Sequence, residues 1–381
     1  MKKRMILTLL GLVMLTGACT IDPPLHLRKT AETAVVLVPT ITTTFMWQVN
    51  WQTEWQFNWS VDALGPLEYV VPNSVRMHDY TLDPDYQPKS HTVYNFNGTN
   101  GQVQLFQGVH NLLFHNVGSE VNLFRAENDL ADVHAYTRVI SSGLKSSMPV
   151  MTLEQKEAAD TRTETEIEIN EPVVLMPDEL FTMYDKERVI SDNLDDFEYV
   201  DGKYILHIRG ELEPVTYIYL IQIKLINNLG RVIGSMGGLA LTGMADDVCL
   251  PTRLTSTSTA SVPTELYINP TSDPDILGAR VLTFGIPGCN PHEPASVAAA
   301  PAGKHYVVAN ICFSTGQYKN INIDVTDQVR ALPTGGVITL EIDVNDFPPE
   351  IIDPPITGGG GGFNALISGW GDITGGVTIG N

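Results

Sequence analysis

Nine histidines are the side chains of this chain best suited to proton transfer or metal binding: His26, His78, His91, His110, His115, His134, His207, His292 and His305. Two helical ligands to one zinc ion stand four apart, as in H-E-x-x-H. His110 and His115 are five apart and no H-E-x-x-H occurs. The expectation is surface or half-buried histidines, with no metal ligand assigned. The four cysteines, Cys19, Cys249, Cys289 and Cys312, show no C-x-x-C spacing, which argues against a zinc site. Setting Cys19 aside, the other three allow at most one disulfide, or serve as small buried side chains. The acid pairs Asp195-Asp196 and Asp246-Asp247 are expected to be solvated carboxylates. No G-x-S-x-G elbow is present. The glycine-rich runs Gly234–Gly238 and Gly358–Gly362 lack the Lys-Ser/Thr of a phosphate loop and read as turns and a flexible tail. No catalytic residue, no cofactor and no enzymatic activity are assigned.

Aromatic side chains offer a different chemistry, stacking on a ligand. Trp47, Trp51, Trp55 and Trp59 recur every four residues in Phe45–Trp59. The odd positions Phe45, Trp47, Val49, Trp51, Thr53, Trp55, Phe57 and Trp59 carry the large side chains; the even ones, apart from Met46, are amides and one acid. In a helix, Phe45, Val49 and Phe57 would fall opposite the tryptophans and leave no polar face. In a strand, one face is aromatic and the other amide. The β-branched run before it, from Val35 to Thr44, agrees with a strand. Phe45–Trp59 is therefore expected to be the first long strand, its rings buried as core. The other reading makes Trp47, Trp51, Trp55 and Trp59 an exposed platform for a sugar or a partner, because an apolar face of that size marks a binding site when it is uncovered.

The amino terminus is informative. Lys2, Lys3 and Arg4 precede a short apolar run, Ile6–Leu15, and then Thr16-Gly17-Ala18-Cys19. That run is too short to span a bilayer and has the layout of an export signal. With a cysteine directly after Gly-Ala, it resembles a bacterial lipoprotein signal. That resemblance implies cleavage before Cys19 and acylation of Cys19, a palmitate-type anchor. No later stretch reaches the length of a membrane-spanning helix.

The chain has 381 residues, 43% of them apolar, with 32 glycines and 24 prolines, which suits a globular body with many turns. A formal net charge of −21 argues against a nucleic-acid partner, because the phosphate backbone requires a basic surface, and against electrostatic adhesion to anionic lipid.

Short alternating runs punctuated by turn signals suggest β-sandwiches. Asp83-Pro84-Asp85 marks a turn. Asn97-Gly98 is expected to close a hairpin of 91–96 with 101–107. Pro177, Asp178 and Glu179 resemble a helix start, so Leu180–Arg188 is expected to be a short helix. Asn227-Asn228-Leu229-Gly230 is a turn, 237–245 fits helix or close-packed strand, Thr326–Val329 is a capped turn, and Val337–Val344 alternates as a strand. The expected organisation is a signal peptide (1–18), a tether (19–34), an amino-terminal sandwich (35–192) with a long polar loop (141–165), and a carboxy-terminal sandwich (193–381) with a Pro/Gly-rich tail.

Several pieces together resemble one family. They are the lipoprotein signal, Phe57-Asn58-Trp59-Ser60, Val174–Phe181 (VLMPDELF), Leu241–Ala245 (LTGMA), Val281–Gly285 (VLTFG), Asp324–Val329 (DVTDQV) and the Gly-Gly-Gly-Phe tail before Trp370. The chain resembles the fimbrillin-like lipoproteins of Bacteroidales, a family of unknown function similar to the anchoring subunits of fimbriae. The resemblance implies an all-β fold of two tandem transthyretin-like or Ig-like sandwiches. It also implies attachment to the outer membrane through the lipid and a role in fimbrium assembly or adhesion at the cell surface. The partners it implies are other fimbrial subunits, joined by strand addition. The alternative is a surface lipoprotein that binds a glycan or peptide through its aromatic residues.

Overall fold

The computed structural model describes 31–39 (backbone only), 55–58, 65–67, 69–140, 171–191, 193–201, 203–269 and 274–352. Cys19, Trp47, Trp51, Trp59, the polar loop 141–165 and the Pro/Gly-rich tail lie outside the described residues.

Among the described residues, most lie in strands and few in helices. The first ten are β1 (Ala31–Pro39), β2 (Ser74–Leu82), β3 (Pro88–Asn97), β4 (Asn100–Val103), β5 (Gly108–Asn116), β6 (Leu123–Arg125), β7 (His134–Tyr136), β8 (Phe181–Ile190), β9 (Glu198–Val200) and β10 (Lys203–Pro214). Nine more follow: β11 (Tyr217–Ile226), β12 (Val232–Ala245), β13 (Asp247–Cys249), β14 (Thr259–Thr264), β15 (Tyr267–Asn269), β16 (Asp275–Thr283), β17 (Tyr306–Phe313), β18 (Tyr318–Asp324) and β19 (Gly336–Asp343). Short helices α1 (Pro294–Ala299) and α2 (Thr326–Ala331) sit around β17–β19.

The first sheet runs β3-β2-β5-β8-β10-β1-β4, with β9 beside β10. β10 changes partner along its length. Its residues Tyr204–Leu212 lie parallel to β1, and Glu213 and Pro214 pair with β8. β3 and β4 stand at opposite ends of this order yet are neighbours in the chain, so the sheet curls over on itself. Between its layers lie Val75, Met77, Phe96, Leu112, Phe114, Phe181, Ile208 and Leu212, all buried. The strands after residue 193 that complete this sheet, β9 and β10, come from the stretch expected to open the second sandwich, and β1 starts inside the expected tether.

The expected hairpin around Asn97-Gly98 is corrected. The turn exists, with Gly98 at φ +94° and its N–H donating to the Asn73 carbonyl at 2.7 Å. Its two arms part, however: β3 pairs with β2 and β4 with β1. The helix expected over Leu180–Arg188 is a strand, β8, paired with β5. Asp178 and Glu179 do not serve a helix dipole. Asp178 accepts from the Ser119 hydroxyl, and Glu179 accepts from the Val70 N–H and from Arg280. The turns at Asp83–Asp85 and Asn227–Gly230 are present, and 237–245 lies in β12.

Downstream, the sheet β15-β16-β11-β19 faces the sheet β14-β12-β17-β18. Ile221, Ile223, Leu277, Val281 and Ile338 of the one meet Leu239, Leu241, Val262, Val307 and Ile311 of the other, and α2 adds Val329. β11 is buried on both faces. Its odd residues enter this core, while Ile218 and Leu220 join the core of the first sheet. That explains why its first half, Tyr217–Ile221, is apolar at every position rather than alternating.

The segment 55–58 lies across that outer face of β11. Trp55 is half-buried, Phe57 buried and Gln56 and Asn58 exposed, so the period of two holds here in burial. It is not a strand of the first sheet, as the sequence suggests. The Gln56 N–H donates to the Gln222 side-chain oxygen on β11 at 2.9 Å, and the Phe57 ring lies over Gly278 on β16. A third sheet, β13-β7-β6, joins strands from both halves over a core of Tyr80, Leu113, Val133, Val248 and Phe284. Among the described residues no helix is long and apolar enough to cross a membrane.

Candidate functional site

The densest cluster of chemically capable side chains lies on three adjacent strands, β3-β2-β5. Register places His78 opposite Val93 and Leu113, His91 opposite Tyr80, and His115 opposite Arg76. His78 is thus the diagonal neighbour of His91 on one side and of His115 on the other, all three on one face. The rings stack, with centroids 5.2 Å apart in both pairs. His78 Nδ1 stands 2.9 Å from His91 Nε2, and His78 Nε2 stands 3.0 Å from His115 Nε2.

Glu127 completes the group from the loop after β6. The Tyr80 hydroxyl donates to the Glu127 carbonyl at 2.6 Å and fixes that loop. Glu127 Oε1 is 3.4 Å from His78 Nε2 and accepts from Arg76 Nη1 at 3.2 Å. Further out, His91 Nδ1 faces the Asn128 side-chain oxygen at 3.1 Å, and His115 Nδ1 donates to its neighbour's carbonyl, that of Asn116, at 3.0 Å. His78 and His115 are fully buried, whereas the Glu127 side chain is 35% exposed. Burial pushes His78 down to about 3, with His115, His91 and Arg76 adding to it. Burial likewise pushes His115 down to about 4, against the bond to Asn116. Both rings are therefore neutral, the form that binds metals, near neutral pH.

Two other histidines serve as cross-links. His110 Nδ1 lies 2.7 Å from an Asp79 carboxylate oxygen and Nε2 lies 2.8 Å from the Phe106 carbonyl. Burial alone would lower its pKa, but the bond to Asp79 and the charge of Asp79 outweigh this and raise it. His134 Nδ1 reaches Asp247 at 2.8 Å, and Arg125 donates to the other Asp247 oxygen at 2.6 Å. Asp247 is buried, not solvated as its sequence suggests, and it binds β13 to β6 and β7.

Helical spacing, the pattern that betrays a zinc pair in sequence, does not reveal this cluster. On strands the relevant signal is pairing across a turn. Folding β2 onto β3 about Asp83–Asp85 places Tyr80 opposite His91 and so brings His91 beside His78. His115 and Glu127 arrive from later elements and carry no such local signal. Of the four tryptophans, Trp55 packs against the first core rather than standing free as a platform. The described cysteines Cys249, Cys289 and Cys312 are free thiols.

A second feature bears on partners. Among the described residues, β19 pairs on one side only, with β11. On the other side the Gln328 side chain of α2 takes the place of a strand at one position. Its amide donates to the Thr339 carbonyl at 3.2 Å and its oxygen accepts from the Thr339 N–H at 3.0 Å.

Residues 56–265 match the family model described as Domain of unknown function (DUF5119). No curated protein matches the chain. Among solved structures, the chain is similar to a candidate adhesin from Bacteroides ovatus, at 14% identity, over 87% of this chain and 99% of that one, with a TM-score of 0.47. It is also similar to a candidate polysaccharide-binding protein from Bacteroides thetaiotaomicron, at 6% identity over 82% of this chain and 91% of that one, with a TM-score of 0.40. A fimbrial assembly protein from Parabacteroides distasonis matches at 8% identity over 81% of this chain and 90% of that one, with a TM-score of 0.29.

Proposed function

We propose that this chain, which belongs to the domain-of-unknown-function family DUF5119, is a non-enzymatic surface protein of adhesive type. It is held to the outer membrane by acylated Cys19 and joins neighbouring fimbrial subunits by strand addition. The observation that carries this reading is the edge of β19. A strand paired on one side offers its other row of N–H and C=O groups to an incoming strand, and the affinity of such a contact comes from the main chain. Here only Thr339 has that side matched, by Gln328, among the described residues. The lipoprotein-like signal ending at Cys19 and the resemblance to fimbrillin-like lipoproteins support the surface location.

The glycan-binding alternative loses Trp55, which is committed to packing, and would rest on Trp47, Trp51 and Trp59.

The test is a photo-crosslinker placed at the exposed Glu341 in fimbriated cells, with the adduct identified by mass spectrometry. A fimbrial subunit joined to the chain supports the reading. A chain that never crosslinks to a subunit and is missing from purified fimbriae overturns it. Cys19→Ser separates the anchoring from the assembly: the variant is expected to leave the membrane fraction and to lose metabolic palmitate labelling.

A further inference from the structure

With the Asn128 side-chain oxygen turned to His91, the hydrogen-bond directions around His78 leave two acceptors face to face. His115 Nδ1 faces a backbone carbonyl, which only accepts, so that nitrogen carries the proton and His115 Nε2 presents a lone pair. At the other end, His91 Nδ1 faces the Asn128 side-chain oxygen, also an acceptor, so His91 Nδ1 carries the proton and a neutral His91 presents a lone pair at Nε2. In that arrangement His78 Nδ1 donates to His91 Nε2, 2.9 Å away. This leaves His78 Nε2 with a lone pair aimed at the lone pair of His115 Nε2, 3.0 Å away, and Glu127 Oε1 lies 3.4 Å from the same His78 atom. In this arrangement two lone pairs and a carboxylate oxygen lie within 4.8 Å of one another.

We propose that His78, His115 and Glu127 form a binding site for a divalent transition-metal ion, zinc foremost. The ligand set suits it, since imidazole nitrogen and carboxylate oxygen are common zinc donors. Bond lengths of about 2.0–2.2 Å in a tetrahedron set ligand–ligand edges of roughly 3.3–3.6 Å. The edges from His78 are 3.0 and 3.4 Å, and all three donor atoms lie within 4.8 Å of one another. A movement of a few tenths of an ångström admits the ion.

The surroundings match those of metal-bound histidines, whose second nitrogen donates to a carbonyl or another acceptor and so fixes the tautomer. His115 donates to the Asn116 carbonyl, and His78 to His91, which in turn donates to Asn128. Arg76 holds the ligating carboxylate, as supporting partners do, though its charge opposes the ion and lowers affinity. Three protein ligands leave a fourth position, open toward solvent on the Glu127 side, for water or for a donor atom from outside.

The test uses the full chain, stripped with a chelator and titrated with Zn²⁺ by calorimetry and with Co²⁺ by visible absorption. One ion per chain and the absorption of tetrahedral Co²⁺ are expected. His115→Gln and Glu127→Gln are expected to weaken Zn²⁺ by more than the roughly 10–100-fold that loss of a supporting partner causes, and His91→Phe by that amount. His207→Ala, at an exposed histidine outside the cluster, is expected to bind as the unaltered chain does. A folded chain that takes up no Zn²⁺ overturns the proposal, as does Zn²⁺ binding unchanged in folded Glu127→Gln. Because Glu127 is partly exposed, that variant decides the question if His115→Gln fails to fold.

Discussion

Phe57 lies flat against Gly278: a Cβ added at Gly278 would fall inside the space of the Phe57 ring. The segment 55–58 approaches β16 so closely because that strand lacks a side chain at this point. Gly278→Ala is expected to destabilise the protein by about 1–3 kcal/mol through overpacking. Phe57→Ala alone is expected to cost about 3–5 kcal/mol, as for other buried phenylalanines. Together they should cost little more than Phe57→Ala alone, because the clash disappears with the ring. Thermal unfolding of the four proteins checks this, and plain additivity would show that the ring is not seated there.

Arg280 and Glu179 form the second expected cycle. Arg280 donates to Glu179 at 2.8 Å, and the other Glu179 oxygen accepts from the Val70 N–H at 2.7 Å. Burial raises the Glu179 pKa, and the Val70 and Arg280 contacts counter it. Arg280→Met strands a poorly solvated carboxylate and is expected to cost roughly 3–5 kcal/mol. The loss should deepen as pH rises, because the unpaired carboxylate is tolerated only when protonated. Adding Glu179→Gln is expected to recover most of it. Denaturant titration at two pH values reads both effects.

Acid is expected to act on the histidines in opposite directions. His78 and His115 have folded pKa values of about 3 and about 4, below the ordinary 6.5. The unfolded chain therefore binds protons that the native chain refuses, and stability falls as pH drops from about 6.5 toward 4. His110 has a raised folded pKa, so its contribution is full below 6.5 and fades as pH rises through the folded value. In the chelator-stripped chain, His115→Phe should flatten the acid limb of a melting-temperature profile. His110→Asn should remove stability mainly at the acid end. A His115→Phe profile as steep as that of the unaltered protein would contradict this account.

Gln328→Ala removes two hydrogen bonds from Thr339, expected to cost roughly 1–3 kcal/mol in total. It also bares a longer run of β19. Self-association measured by sedimentation should increase more than the modest loss of stability explains. A variant that is less stable but strictly monomeric would show that Gln328 does not guard this edge.

What the sequence reveals depends on whether the deciding partner is local. The double-sided burial of β11 is visible in the five apolar residues Tyr217–Ile221, before Gln222 and Lys224 interrupt the run, and the turns at Asp83 and Asn227 announce themselves. Phe181–Ile190 resembles a helix because Pro-Asp-Glu before it imitates a helix start; the strand is selected by β5, which lies more than sixty residues earlier. At Asn97-Gly98 the turn is legible, but the separation of its arms is not, since β1 and β2 claim one arm each. The alternation of Trp55 to Asn58 gives the right period and no sign of the surface beneath it. The histidine cluster stays hidden for the same reason: His78, His115 and Glu127 belong to three elements that only the sheet brings together.

The parallel pairing of Ala31–Pro39 with Tyr204–Leu212 has a mechanical consequence. β10 continues at its far end through Val215 and Thr216 into β11. A pull on the amino-terminal side of β1, opposed by the body beyond β10, therefore acts along both strands in opposite senses. Ladder bonds loaded this way share the force, like a lap joint in shear, whereas a hairpin opened from its ends parts one bond at a time. A protein tethered to a surface by that end would meet traction along its strongest direction.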